Sequence, residues 1–257
     1  MKAAEQLIAL QTMTIRETRR FLRIWTQTLL PPVITMVLYF VIFGSLIGSR
    51  IGQMDGFNYA DFVAPGLIMM AVITNSYSNV VSSFFGHKFQ RHIEEILVSP
   101  TPNYIILAGF VSGGMARGLL VGLFVTITSV FFTDFQIQHP LIVLITVLLT
   151  SALFSVAGLI NAVFAKTFDD ISIVPTFILT PLTYLGGVFY SISLLSDFWQ
   201  TVSQANPILY MVNAFRYGFL GISDINVTAA LVIIFLFTLL LIVVALHLLK
   251  TGKNLRA

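Results

Sequence analysis

Residues 227–249 read VTAALVIIFLFTLLLIVVALHLL, and no Asp, Glu, Lys or Arg interrupts them. A helix of this length is roughly 35 Å long at about 1.5 Å per residue, enough to cross a hydrocarbon core of about 30 Å. Five further runs have the same character and fix the spans at about 31–49, 62–85, 109–132, 141–164 and 171–190. Pro31 and Pro32 open the first, where a proline loses no helical hydrogen bond. The second tolerates Asn75, Ser76, Ser78 and Asn79. The fourth ends before the charged turn of Lys166, Asp169 and Asp170. The expected fold is an all-α polytopic membrane protein of six transmembrane helices.

The composition agrees. The chain has 257 residues, 57% of them hydrophobic and 10% charged, with a mean hydropathy of +0.92. Soluble domains carry about 25% charged residues, so this chain cannot coat a water-soluble globule of its size. Its 14 Lys and Arg are too dispersed to form a nucleic-acid stripe, and no nucleic-acid partner is expected. It has no cysteine, which excludes disulfides, thiolate metal sites and a cysteine nucleophile.

Six spans place both termini on one side. That side would hold eleven of the 14 cations: Lys2, Arg16, Arg19, Arg20, Arg23, Lys88, Arg91, Lys166, Lys250, Lys253 and Arg256. The positive-inside rule makes it the cytoplasm. Arg50 and Arg216 fall on the other side. Arg117 falls inside the third span and is expected to snorkel to the cytoplasmic boundary. Residues 1–25 have several charges and no apolar core of signal-peptide type, so the first span is expected to stay uncleaved.

Two amphipathic segments flank this core. Arg16, Arg19, Arg20 and Arg23 repeat at i, i+3, i+4 and i+7 and share a helix face, with Ile15, Phe21, Leu22 and Trp25 roughly opposite. This is the pattern of a helix at the cytoplasmic interface, anchored on the lipid bilayer or touching a soluble partner. Residues 86–104 read GHKFQRHIEEILVSPTPNY. Lys88 to Val98 can form a short helix that Ser99-Pro100 and Thr101-Pro102 stop. A rigid stub of this kind serves either as a solvated connector or as a plug for a groove on another protein. Residues 191–226 are too broken to span and suit re-entrant helices between spans five and six. The organisation expected is an interface helix over 1–28, a transmembrane domain over 29–250 and a cytoplasmic tail over 251–257.

The third span carries Gly109, Gly113, Gly114, Gly118 and Gly122. Small residues at this spacing let helices approach closely, whether for packing inside the chain or on a dimer or pore surface. His87 and His92 are five apart, off a common helix face, and no His, Asp or Glu spacing suits a metal. No catalytic triad, paired intramembrane carboxylates, phosphate-binding glycine loop or internal repeat is present. Energised transport by this chain therefore needs energy from another, and a proton-coupled carrier would lack its acidic relay. The chain is expected to be no enzyme and to bind no cofactor.

The stretch from Leu179 to Arg216 resembles the signature of type-2 ABC exporter permeases. It runs Leu179, Leu182, Leu185-Gly186 and Val188, then Leu195-Ser196, then Pro207-Ile208, Tyr210 and Arg216. Ser196 stands where the family often has proline. The resemblance implies a homodimer of six-helix protomers paired with two copies of a separate ATPase, which uses ATP and Mg. The loop through Gln90, Arg91, Glu94, Glu95, Leu97 and Ser99 would be the coupling helix, and the arginine-rich N-terminus the interface helix. The setting would be the bacterial inner membrane. An ATP-independent secondary transporter or channel is the alternative. The substrate is not legible, although short external loops favour a lipidic or amphiphilic cargo.

Overall fold

A computed structural model describes residues 1–134, 136–252 and 254–255. Lys253 and Arg256, two of the C-terminal cations, lie outside the described residues. The chain opens with helices α1 (Ala3–Arg23) and α2 (Trp25–Thr28). Helix α3 (Leu30–Tyr39), a π-helical stretch (Phe40–Ile47) and α4 (Gly48–Ile51) then continue one rod. Strands β1 (Gln53–Met54) and β2 (Phe57–Asn58) pair with Gln53 opposite Asn58. Their two-residue turn puts Asp55 and Gly56 at φ of 49° and 83°, the paired positive angles of a tight hairpin. Helix α5 (Tyr59–Phe89), α6 (His92–Val98), α7 (Asn103–Ser129) and α8 (Pro140–Phe164) follow. Next come α9 (Asp170–Val174), a π-helical stretch (Pro175–Leu179) and α10 (Thr180–Tyr184). The last elements are α11 (Asp197–Gln204), α12 (Pro207–Leu220) and α13 (Val227–Thr251).

Five helical rods among the described residues are long and apolar enough to cross a membrane: Trp25–Ile51, α5, α7, α8 and α13. The expected spans at 62–85 and 109–132 are shifted. Helix α5 gains several residues at each end, and α7 starts directly after Pro102 and stops at Ser129. The expected span at 171–190 is not a helix of that length. Its helical run ends at Tyr184 and the chain turns at Leu185. The run nevertheless travels the length of α5. At one end Phe168 packs edge-on against Phe85, 4.9 Å between ring centroids. At the other, the Val188 backbone lies so close to Gly66 that a Cβ there would sit 2.7 Å from its carbonyl oxygen.

Helix α5 is the axis of the bundle. Its most apolar window is 78% buried inside the protein, against 22% for α13 and 12% for Trp25–Ile51. This explains its low apolarity: Asn75, Ser76, Asn79 and Ser83 are all buried, facing protein rather than lipid. The glycine stripe of α7 packs within the chain on two sides. Met13 and Glu17 of α1 cover Gly109 and Gly113. Ser155 and Val80 cover Gly114, Ser76 covers Gly118 and Val72 covers Gly122. These glycines are seams between helices within the chain. Gly158 makes the matching seam on α8, where a Cβ would meet the Tyr77 carbonyl of α5 at 2.6 Å.

Both ends of the described chain meet at the α6 end of the bundle. Tyr104 Oη donates to Gln6 of α1 (2.8 Å), and residues Leu249–Gly252 line a cavity with Glu94, Leu97 and Val98. The hairpin, α11 and α12 gather at the opposite end, around Phe62 and Gly66.

Candidate functional site

At the α6 end, helix α5 stops because Arg91 adopts a left-handed φ of 63°. Lys88 therefore belongs to α5, and the short helix expected from Lys88 begins only at His92. The break also brings the His87 and His92 rings to 6.4 Å, a contact that counting along one helix does not reveal. Ile93 is fully buried and pins α6 to the bundle, while Ile96 and Leu97 are half-buried. Gln90, Arg91, Glu94 and Glu95 point outward, and Val98 is 87% exposed. Ser99 Oγ donates to the Ile96 carbonyl (2.6 Å) and accepts from Thr101 N, closing the helix before Pro100. An anchored stub with an acidic, apolar-tipped outer face results. Beside it lies a cavity of about 560 Å³ walled by Glu94, Leu97, Val98, Asn103 and Leu249–Gly252.

Helix α1 joins the same end, but not with a single basic face. Its buried stripe is Met13, Glu17 and Phe21. Glu17 is bound by Arg16 (3.2 Å), Arg20 (3.3 Å) and the hydroxyl of Ser83 on α5. Arg20 also donates to the backbone and side-chain oxygens of Asn79 (2.9 and 2.8 Å), and Arg16 lies 5.7 Å over the Phe110 ring. Only Arg19 and Arg23 of the four are left to face outward without such partners among the described residues. The arginine spacing hid the acidic residue between them, which does the docking. On the apolar side Phe21 is buried, while Ile15, Leu22 and Trp25 are exposed.

Arg117 reaches back to the start of the first membrane rod. It lies in the middle of α7, and its Nη2 donates to the Thr28 carbonyl (3.2 Å). That carbonyl would accept from the amide four residues on, and Pro32 has none. The arginine satisfies the group that the proline leaves open, at the joint between α1–α2 and the first membrane rod.

At the far end, the signature residues form one cluster. Asn206 caps α12 by accepting from Ile208 N (3.0 Å) and donates to the Leu182 carbonyl (2.6 Å). Pro207 occupies the first helical position, and Tyr210 Oη returns to the Gln204 carbonyl (2.7 Å). Gly186 admits Ile208, since a Cβ there would lie 2.8 Å from it. Arg216, 1% exposed, donates through Nη2 to Gly187 O and through Nε to Phe62 O (3.3 Å). Its guanidinium lies 4.0 Å over the Phe62 ring. It is thus a buried tie rather than a loop cation. Leu185 follows α10 and Leu195 leads into α11, both half-buried at the bends of this return. Asp224, which the sequence reading did not single out, completes the closure. It accepts from Ser191 and Ile192 N, and its amide donates to Asn213.

The turn between α8 and α9 has its own lock. The Asp170 carboxylate accepts from the amides of Lys166 (2.8 Å) and Thr167 (3.0 Å).

An α-helical membrane bundle with a docked N-terminal helix, a stub helix at one end and a signature cluster at the other defines a class. Residues 8–220 match the ABC-2 type transporter family, and the chain belongs to it. It is a membrane permease of the ABC transporter class. Among individual proteins, it is 58% identical over 250 residues to the inner membrane transport permease YadH of Escherichia coli K12, covering 97% of this chain and 98% of that protein. It is also 23% identical to nodulation protein J of Rhizobium leguminosarum bv. viciae over 192 residues, 74% of each chain.

Proposed function

We propose that this chain is the transmembrane subunit of an ATP-driven exporter, acting as a homodimer with a separate ATPase in the bacterial inner membrane. The observation that carries this reading is α6: a pinned, proline-stopped stub that exposes Glu94, Glu95 and Val98 where α1 and the end of α13 also lie. In this reading, α6 is the coupling helix seated on the ATPase and α1 is the interface helix beside it. ATP and Mg act on the partner. Membership of the ABC-2 family and the likeness to a named inner membrane permease support it. The second copy would meet this one along apolar surface such as that of the 170–184 run, where Phe177 is 73% exposed.

The same reading makes six crossings, with residues 170–188 as the fifth and α11–α12 as re-entrant helices on the outer side. Support comes from that run's contacts at both ends of α5 and from the chain ends meeting at the α6 end. Export of a lipidic or amphiphilic compound fits the short outer segments. An epitope placed within residues 51–58 is expected to be reached by antibody from the periplasm, and a C-terminal one only after permeabilisation. The reverse pattern would overturn the orientation.

Reversing Glu94 and Glu95 to lysine is expected to cut ATPase association by about tenfold or more, since facing charges of like sign cost several kcal/mol. Membrane insertion should be unchanged, because both side chains are exposed. Unaltered association would remove α6 from the interface.

A further inference from the structure

Lys88 is the last charged residue of α5, three positions before the left-handed break that begins α6. Its ammonium does not point to solvent. It donates to the carbonyls of Val163 (2.6 Å) and Ala165 (2.7 Å), the open C-terminal end of α8. A helix end carries unpaired carbonyls and partial negative charge, so this is a favourable seat for a cation. A helix end near a membrane surface can be satisfied by water, so capping alone does not demand a lysine from another helix. The aromatic contacts strengthen the tie. Phe168, just beyond α8, packs on Phe85 (4.9 Å) and Phe89 (5.0 Å), which flank Lys88 on α5.

The other end of α8 is held as firmly, by α12. His139 N, at the cap of α8, donates to the Gly218 carbonyl (2.8 Å), and the His139 ring stacks on Tyr217 at 4.7 Å. Val143 fits against Gly218, where a Cβ would lie 2.5 Å from its side chain. Two residues earlier on α12, Arg216 holds Gly187 and Phe62. Between the two attachments α8 is an unbroken 25-residue helix, about 37 Å long.

We propose that α8 is a transmission rod that carries displacement of α6 across the membrane to α12, with Lys88 as the positioning residue that engages its cytoplasmic end. The inference rests on the coupling role proposed for α6. Motion of α6 drags the end of α5 and, through Lys88 and Phe168, the end of α8. A stiff helix passes that motion to Gly218 and the outer cluster, a contiguous set of packed contacts of the kind that carries coupling between distant sites. Lys88 acts through the α8 carbonyls and need touch neither substrate nor nucleotide.

The chain has no cysteine, so spin labels can be placed at Gln53→Cys and Thr201→Cys on the outer side of the full permease–ATPase complex in lipid nanodiscs. Distances are read without nucleotide and with ATP and vanadate. The unsubstituted Lys88 background is expected to show an ATP-dependent change. Lys88→Met is expected to lose most of it while still co-purifying the ATPase and hydrolysing ATP, and Lys88→Arg, which keeps the cationic donor, to restore it. Phe168→Ala should weaken the change in part, with ATPase binding retained. A Lys88→Met complex that binds ATPase and moves its outer labels as fully as the background overturns the transmission role alone. A background chain that binds no ATPase overturns the coupling reading and this inference with it.

Discussion

Arg216→Ala is expected to unfold the cluster around α12, lowering stability by about 3–5 kcal/mol. The guanidinium fills the space between α12, the Gly187 turn and the first turn of α5, and it is 1% exposed. Phe62 O keeps its helical partner when the arginine goes, but Gly187 O loses a charge-assisted bond. A cavity adds to the deficit. Arg216→Lys should rescue little, because an ammonium cannot reach two carbonyls and lie flat over the Phe62 ring together. The measurement is the rate of proteolysis within residues 191–226 in detergent, alongside the thermal unfolding midpoint. Protection equal to that of the unsubstituted chain would show that the cluster is held by other contacts.

Gly158→Val is expected to have an effect of similar size for the opposite reason. The atoms that a side chain would strike are the Tyr77 carbonyl, at 2.6 Å, and the Val81 amide nitrogen, at 3.3 Å. Both belong to the α5 backbone, which cannot rotate away as a side chain can. Overpacking typically costs about 1–3 kcal/mol and sometimes more, and a backbone obstacle places this case at about 3 kcal/mol. Separating α8 from α5 along this seam would also disturb Gly114 against Ser155. The yield of monodisperse protein and its unfolding midpoint check this, with Gly158→Ala expected in between. An unchanged midpoint for the valine variant would contradict the packing of α5 on α8.

The contrast between these two sites shows which parts of the fold the sequence carries openly. Hydropathy located α8 and α13 almost to the residue, because length and apolarity are local properties. It took 171–190 for one helix, where Pro175 and Pro181 interrupt the helical pattern and the helical run ends at Tyr184. The role of the glycines depends on which helices face them, and periodicity alone does not tell. The partner of Arg117, the carbonyl left open by Pro32, lies 89 positions away in sequence, and spacing alone does not reveal it. Glu17 was obscured by the arginines around it. The signature residues were legible as a pattern of spacings, while their joint role in closing one cluster lies in the convergence of Gly186, Asn206 and Arg216. The stub helix was legible from its charges and prolines, but the left-handed residue that starts it at His92 was not.

The central claim is that this chain is one half of a machine whose energy comes from another subunit. Its most direct test is to purify the tagged permease from membranes of the native organism and ask for a stoichiometric ATPase containing a phosphate-binding loop. ATP hydrolysis is then measured with intact α6 and with Glu94 and Glu95 reversed. One ATPase per permease is expected, retained by the intact chain and lost on charge reversal. A permease that purifies without an ATPase, yet moves solute across vesicles driven by a gradient alone, would contradict it.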